Sequence, residues 1–250
     1  MKWIFCAAFC LIFVFSRAQL VNTEKLRKKQ NEEGLSGEVR INGSFLKNTV
    51  PIYRLSYFGR IELRKATDRF MLFTNLNFSE ADGTNFVNNG YTHLRYNRKL
   101  GEPVTLEVFS QAQYNQIQKI RGRFLQGIGP RFRLVENDST RFFVGVLYMY
   151  EHEEISEGAE FNRHHRMSSY LTFGYAFSKV FSVDHITYYQ PRIDFLEDYR
   201  IVTETILGFK VSKNLSFQAS FNLLYDSTPP DSKGVPRSIF SVSNGLSYTF

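Results

Sequence analysis

From residue 35 to residue 250, apolar and polar side chains alternate with a period of two. In the last segment Phe240, Val242, Leu246, Tyr248 and Phe250 share one parity, and Ser241, Ser243, Gly245, Ser247 and Thr249 share the other. Successive side chains of a β-strand point to opposite faces, so this segment reads as a strand with one apolar and one polar face. Tyr53, Leu55, Tyr57, Ile61 and Leu63 alternate in the same way with Arg54, Ser56, Arg60, Glu62 and Arg64. The pattern predicts twelve strands: 35–46, 51–65, 69–78, 85–98, 103–116, 121–135, 140–152, 163–177, 181–191, 199–211, 214–226 and 237–250. The segments 140–152 and 181–191 carry apolar residues on both faces, which leaves their parity open. No stretch after residue 34 has a helical stripe.

The connections are unequal. Those at 66–68, 99–102, 136–139, 178–180 and 212–213 are short, whereas 153–162, 192–198 and 227–236 are long or charged. Short turns on one side and longer loops on the other, with an even strand number, predict a transmembrane antiparallel up-and-down β-barrel with both ends periplasmic. A soluble barrel turns its apolar face inward, and twelve strands enclose more space than side chains are expected to fill. The polar parity also carries too many charges for a dry core. Facing that parity inward makes Arg40, Arg54, Arg60, Arg64, Arg95, Arg131, Arg133 and Lys210 lumenal. Glu38, Glu62, Glu107, Glu204 and Asp184 accompany them.

Composition supports this reading: 25 Phe and 14 Tyr against one Trp, with Tyr148, Tyr150, Tyr188, Tyr189 and Tyr225 near strand ends, where aromatic girdles meet lipid headgroups. Mean hydropathy is −0.28, too low for a bundle of membrane-spanning helices.

The first residues read as an export signal. Lys2 precedes an apolar run from Trp3 to Phe15, and Ser16-Arg17-Ala18 offers a cleavage site after residue 18. Residues 1–18 are thus expected to leave, 19–34 to form a charged periplasmic segment, and 35–250 the barrel. Cys6 and Cys10 are the two cysteines and both fall within the signal, so the exported chain is expected to lack disulfides and thiol chemistry. The formal charge of +7 drops to +5 without Lys2 and Arg17, and an exported chain of that charge is not expected to bind nucleic acid.

Leu246, Tyr248 and Phe250 resemble the C-terminal assembly signal of bacterial outer-membrane proteins, which implies the barrel-assembly machinery as a partner. The stretches TEKLRKK (23–29), YTHLRYNRKL (91–100) and the run from Leu106 to Leu134 resemble the salt-induced outer-membrane protein (YdiY-like) family, a domain of unknown function, in a Bacteroidota form. The resemblance implies an outer-membrane barrel in contact with lipid and lipopolysaccharide. It implies no activity or catalytic residue.

Candidate chemistry is sparse. His152, His164 and His165 flank the 153–162 loop with Glu153 and Glu154, a weak metal-binding candidate whose spacing matches no standard motif, and no cofactor is expected. None of the five histidines has a serine two residues on, the arrangement looked for in lipid-modifying barrels, and His185 on the outward parity has no nucleophile adjacent in sequence. Gly127-Ile128-Gly129-Pro130 lies within an alternating strand and reads as a bend, not a phosphate loop. The expectation is a non-enzymatic barrel that passes small solutes, with a slight preference for small anions set by its lumenal arginines. A sealed structural or stress-related envelope barrel is the rival, and a lipid-modifying enzyme the third reading.

Overall fold

The computed structural model describes residues 33–47, 49–155, 161–213, 215–230 and 234–248. The expected signal at 1–18, most of the 19–34 segment and Phe250 lie outside these residues. Twelve strands follow one another: β1 (Gly34–Lys47), β2 (Pro51–Lys65), β3 (Asp68–Ala81), β4 (Thr84–Gly101), β5 (Val104–Asn115), β6 (Ile120–Glu136), β7 (Thr140–Ile155), β8 (Phe161–Ala176), β9 (Phe181–Pro191), β10 (Tyr199–Lys210), β11 (Leu215–Asp226) and β12 (Ser238–Tyr248). Each pairs with the next, always antiparallel, in one sheet of order β1 to β12. This is the up-and-down barrel that the alternation predicts.

Several strands run beyond their expected ends. β3 and β4 extend until only Asp82 and Gly83 separate them, so the connection expected at 79–84 is a tight hairpin. Both residues have positive φ, 50° and 70°, the backbone that a two-residue hairpin needs to match strand twist. β7 and β8 likewise reach Ile155 and Phe161, which shortens the loop expected at 153–162.

The outer surface is apolar and exposed. Ile61, Leu72, Leu94, Ile128, Leu171, Phe221 and Val242 project from successive walls. Two aromatic rows bracket this band between β8 and β11. Phe177, Phe181, Phe209 and Phe217 lie ring beside ring at the periplasmic edge, and Tyr189, Tyr199 and Tyr225 do so at the extracellular edge with their rings tilted. Lipid satisfies such a surface, and the ladders on both sides satisfy the backbone of β2 to β11, while no ladder between β1 and β12 is present among the described residues.

The interior departs from the expectation of a wholly polar space too wide to fill. Phe109, Leu125, Leu147, Met149, Tyr170, Ile186, Tyr188, Val202 and Leu224 form a buried apolar cluster on the inner face. A residue of β5 thus shares one cluster with residues of β10 and β11, because long aromatic and aliphatic chains from the strands between fill a gap that a count of strands alone treats as open. The two ambiguous segments are resolved here: β7 turns Leu147 and Met149 inward and β9 turns Ile186 and Tyr188 inward, with Tyr148 and Tyr189 outside.

Candidate functional site: the barrel interior

The inner face divides into three levels between β4 and β11. At the extracellular end lies an ionic cluster of buried residues on five strands and one loop. Arg166 of β8 is 1% exposed and donates to the Glu151 carboxylate of β7, to the Asp198 carboxylate at 2.9 Å, and to the backbone oxygens of Gln190 at 3.1 Å and Asp198 at 3.2 Å. Arg200 of β10 bridges Glu151, Glu153 at 3.2 Å and Asp226 at 2.7 Å. Arg123 of β6 pairs with Glu151 as well. Burying so many charges is tolerable only with dense mutual pairing, and this cluster has it.

Asp198 belongs to the 192–198 loop, which the cluster ties down. Arg192 chelates Asp194 through two nitrogens, at 3.0 and 2.6 Å, and reaches Asp198 at 3.4 Å. The Arg192 guanidinium holds the Asp194 carboxyl below the usual carboxylate range, at about 2. Burial raises Asp198, but the positive charge of Arg166 and a hydrogen bond from Thr228 outweigh it and leave the carboxyl lower than usual.

The apolar cluster fills the middle level. Beside it Glu107, wholly buried, sits between Arg95 at 3.5 Å and Arg131 at 3.8 Å and accepts a 2.5 Å hydrogen bond from the Tyr170 hydroxyl. His93 links Gln111 at 2.8 Å to Arg95 at 3.2 Å. A cavity of about 70 Å³ remains between these groups, bordered by Gln113, Tyr188 and Arg200.

At the periplasmic end a vestibule of about 570 Å³ opens between the turns. Arg64, Arg69, Arg131, Arg133 and Arg141 reach it, as do Asp68, Glu102, Glu136, Asp138 and Asp184. Much of this charge is internally neutralised: Arg69 pairs with Glu62 at 2.9 Å, Arg141 with Asp184 at 2.6 Å, and Arg133 with Glu102 and with Glu136 at 3.0 Å. Arg131 also lies over the Phe143 ring, 3.9 Å from its centroid.

The opposite wall is different. On β1 the inward Arg40 and Glu38 side chains keep 55% and 34% of their exposure although they pair at 3.3 Å. Arg54 and Ser56 on β2 and Asn222 on β11 are half-buried, and Arg60 is buried against Glu62 at 3.4 Å. Glu204 of β10 is buried, while Lys210 is exposed at the periplasmic end of that strand. Leu246 projects outward on β12, 71% exposed, and the backbone of Tyr248 pairs with Leu215.

A single family model matches residues 55–250, described as a protein of unknown function, DUF481. The chain belongs to the DUF481 family. The resemblance carried by residues 91–100 and 106–134 agrees with that assignment. No curated relative matches the DUF481 chain. Among solved structures it is similar to the NanC porin in a rhombohedral crystal form, with a TM-score of 0.50, 10% identity, and coverage of 85% of this chain and 99% of that one. It is also similar to the KdgM porin in complex with disordered oligogalacturonate, with a TM-score of 0.41, 13% identity, and coverage of 86% and 98%. At these identities the likeness is one of fold.

The histidines of the DUF481 barrel are not brought together. His152 stacks on Phe161 and His165 stacks on Tyr148, both on the outer parity, while His164 lies on the inner one. Among the described residues no group of three or more His, Cys, Asp or Glu is placed to hold a metal ion. Sequence reasoning missed Arg123, Glu151, Arg166 and Arg200, although Arg166 shares the inward parity of Ser168 and Tyr170. It also missed the neighbour of His185. Across the β9–β10 ladder the Thr205 hydroxyl lies 2.8 Å from Nδ1, a contact no linear spacing reveals.

Proposed function

We propose that this outer-membrane barrel is a narrow channel for small solutes, whose path follows the wall of β1, β2, β11 and β12. The observation that carries this reading is the asymmetry of the inner face. On β2 and β11, which are laddered on both sides, the inner Arg54, Ser56 and Asn222 stay half-buried, while the inner chains of β4 to β10 pack against one another. A polar, wet lane beside a filled sector is a pore of small bore. On β1 and β2 the inward charges are Arg40, Arg54, Arg60 and Arg64 against Glu38 and Glu62, which favours small anions weakly. Export by a cleaved signal, assembly through the C-terminal residues and contact with lipopolysaccharide are part of the same reading.

Single-channel recording of the refolded protein in a planar bilayer, under a KCl gradient, tests it. Discrete steps with a reversal potential shifted toward chloride are expected, and replacing Arg40, Arg54 and Arg64 by Gln reduces that shift. A sealed envelope barrel is the second reading, favoured by the apolar cluster and ionic cap. Silence from protein whose folding is verified by heat-dependent gel migration establishes the sealed barrel instead.

A further inference from the structure

The cavity of about 70 Å³ beside the apolar cluster has no role in either reading. Three guanidinium groups border it, those of Arg95, Arg123 and Arg200, and among the described residues no carboxylate does. Their counter-charges lie off its wall: Glu107 beside Arg95, and Glu151 and Glu153 beside Arg123 and Arg200.

The hydrogen bonds around the cavity run in one direction. Arginine only donates, so Nε of Arg95 gives its proton to Nε2 of His93 at 3.2 Å, and Nδ1–H of that ring donates to the Gln111 carbonyl at 2.8 Å. The Gln111 amide nitrogen donates in turn to the Gln113 carbonyl, and the relay ends on the NH2 group of Gln113. A second relay starts from the backbone. The N–H groups of Ile117 and Gln118 donate to the Asn115 side-chain carbonyl at 3.0 and 3.2 Å, which turns its amide nitrogen to the Gln118 carbonyl at 2.9 Å. That relay ends on the NH2 group of Gln118. Ser168 accepts from Gln190 at 3.1 Å and keeps its own hydroxyl proton.

Donors therefore accumulate at this wall. Gln113, Gln118, Ser168 and Arg123 are each more than nine-tenths buried, and Nη2 of Arg123 has no hydrogen-bond partner among the described residues. Gln113 and Arg123 are opposite one another in the β5–β6 ladder. A buried donor without an acceptor is costly. Water answers this poorly, because each molecule brings two donors of its own to a wall where the Gln190 side-chain carbonyl is one acceptor against several donors. An anion only accepts.

Size and charge narrow the class. One water needs about 10–15 Å³ by the same measure, so the cavity holds an ion of atomic size with a few waters, and no lipid headgroup. All three arginines already have carboxylate partners outside the cavity, which leaves little charge to balance and favours a monovalent ion.

We propose that this cavity is a binding site for one small monovalent anion of the chloride class, held by Arg123, Gln113, Gln118 and Ser168. The site lies in the filled sector, away from the β1–β2 lane, and goes beyond the channel reading. The bound ion ties β5, β6 and β8 together beneath the ionic cluster.

Urea titration of the refolded barrel in sodium chloride and in sodium gluconate, at equal ionic strength, tests it. Gluconate is too large for the cavity. An ion that binds the folded state alone lowers the unfolding constant about tenfold once it reaches about ten times its dissociation constant. That shift, saturating with chloride concentration, is the expected result. Gln113→Glu sets a carboxylate opposite Arg123 in the place of the ion. The variant is expected to lose the chloride dependence and to unfold in gluconate near the midpoint of the unaltered chain in chloride. A crystal grown in bromide is expected to show an anomalous peak in the cavity. Equal midpoints of the unaltered chain in the two salts, a chloride effect undiminished in Gln113→Glu, or water where the bromide is expected overturns the proposal. The comparison of salts on the unaltered chain stands even where the variant fails to fold. Conductance enters none of these outcomes, so failure of the channel reading and failure of this one are told apart.

Discussion

Arg166 donates to the Asp198 carboxylate at 2.9 Å, and this contact joins the inner wall of β8 to a loop 32 residues further along the chain. Both side chains are buried, at 1% and 7% exposure, and Arg166 also receives the fixed charge of Glu151. The extracellular end of the filled sector is therefore held shut by charge pairs, not only by apolar packing.

Removing one member of such a cluster weakens the compensation of the others. Arg166→Met takes from Glu151 one of its three arginines and from Asp198 one of its two, in a buried site, with an expected cost of about 2–4 kcal/mol. Urea titration of the folded barrel, followed by heat-dependent gel migration, measures it. A loss below about 1 kcal/mol would show that water already reaches the cluster.

The 192–198 loop should loosen in acid before the barrel does. Both Asp194 and Asp198 have carboxyls depressed in the folded state, Asp194 to about 2. Depressed carboxylates contribute stability that is fully present above their unfolded value of about 3.9 and disappears as pH falls through the folded one. Trp3 is the chain's one tryptophan and falls within the proposed signal at 1–18, so in the cleaved chain Phe195→Trp is expected to report the loop alone. Its fluorescence anisotropy should hold from pH 7 to about 4 and fall between about 4 and 2.

Glu107→Gln tests whether the middle level bears on ion selectivity. The substitution removes the negative charge between Arg95 and Arg131 while keeping a group that the Tyr170 hydroxyl can reach. Reversal potential should move further toward chloride in a conducting barrel, and stability should fall by about 3–5 kcal/mol as two arginines lose their counter-charge. An unmoved reversal potential would mean that ions bypass this level along the β1–β2 wall.

Gly129→Ala probes a close approach of two strands. A Cβ at this position would lie 2.2 Å from the Val146 carbonyl oxygen and 2.6 Å from the Leu147 Cα, both backbone atoms that cannot turn aside. Gly129 and Pro130 lie on β6 between the pairs Ile128–Tyr148 and Arg131–Gly145, across which the β6–β7 register is unchanged. We expect a loss of about 1–3 kcal/mol, measured by urea titration. The glycine thus serves close packing of β6 against β7.

Strand number, order and facing were legible in the sequence because each depends on local rules. A period of two marks a strand with unlike faces, as in Phe240 to Leu246, and lipid on the outside keeps that alternation clean. The Asp82-Gly83 hairpin obeys a local rule too, yet alternation alone leaves it inside a longer loop at 79–84, because strand ends are set by pairing with the neighbour.

What fills the barrel was decided by the tertiary structure alone. Parity says that Arg131 and Glu107 face inward, but not that Glu107 sits between Arg95 and Arg131, or that Tyr170 reaches it from β8. The same holds for Phe109 and Leu224 sharing one buried cluster, and for His185 meeting Thr205. Period and parity are properties of one strand, set by backbone geometry over a few residues. Ion pairing and packing across a lumen depend on how twelve strands curl and stagger, which brings together residues up to 115 positions apart and leaves no mark in their linear order.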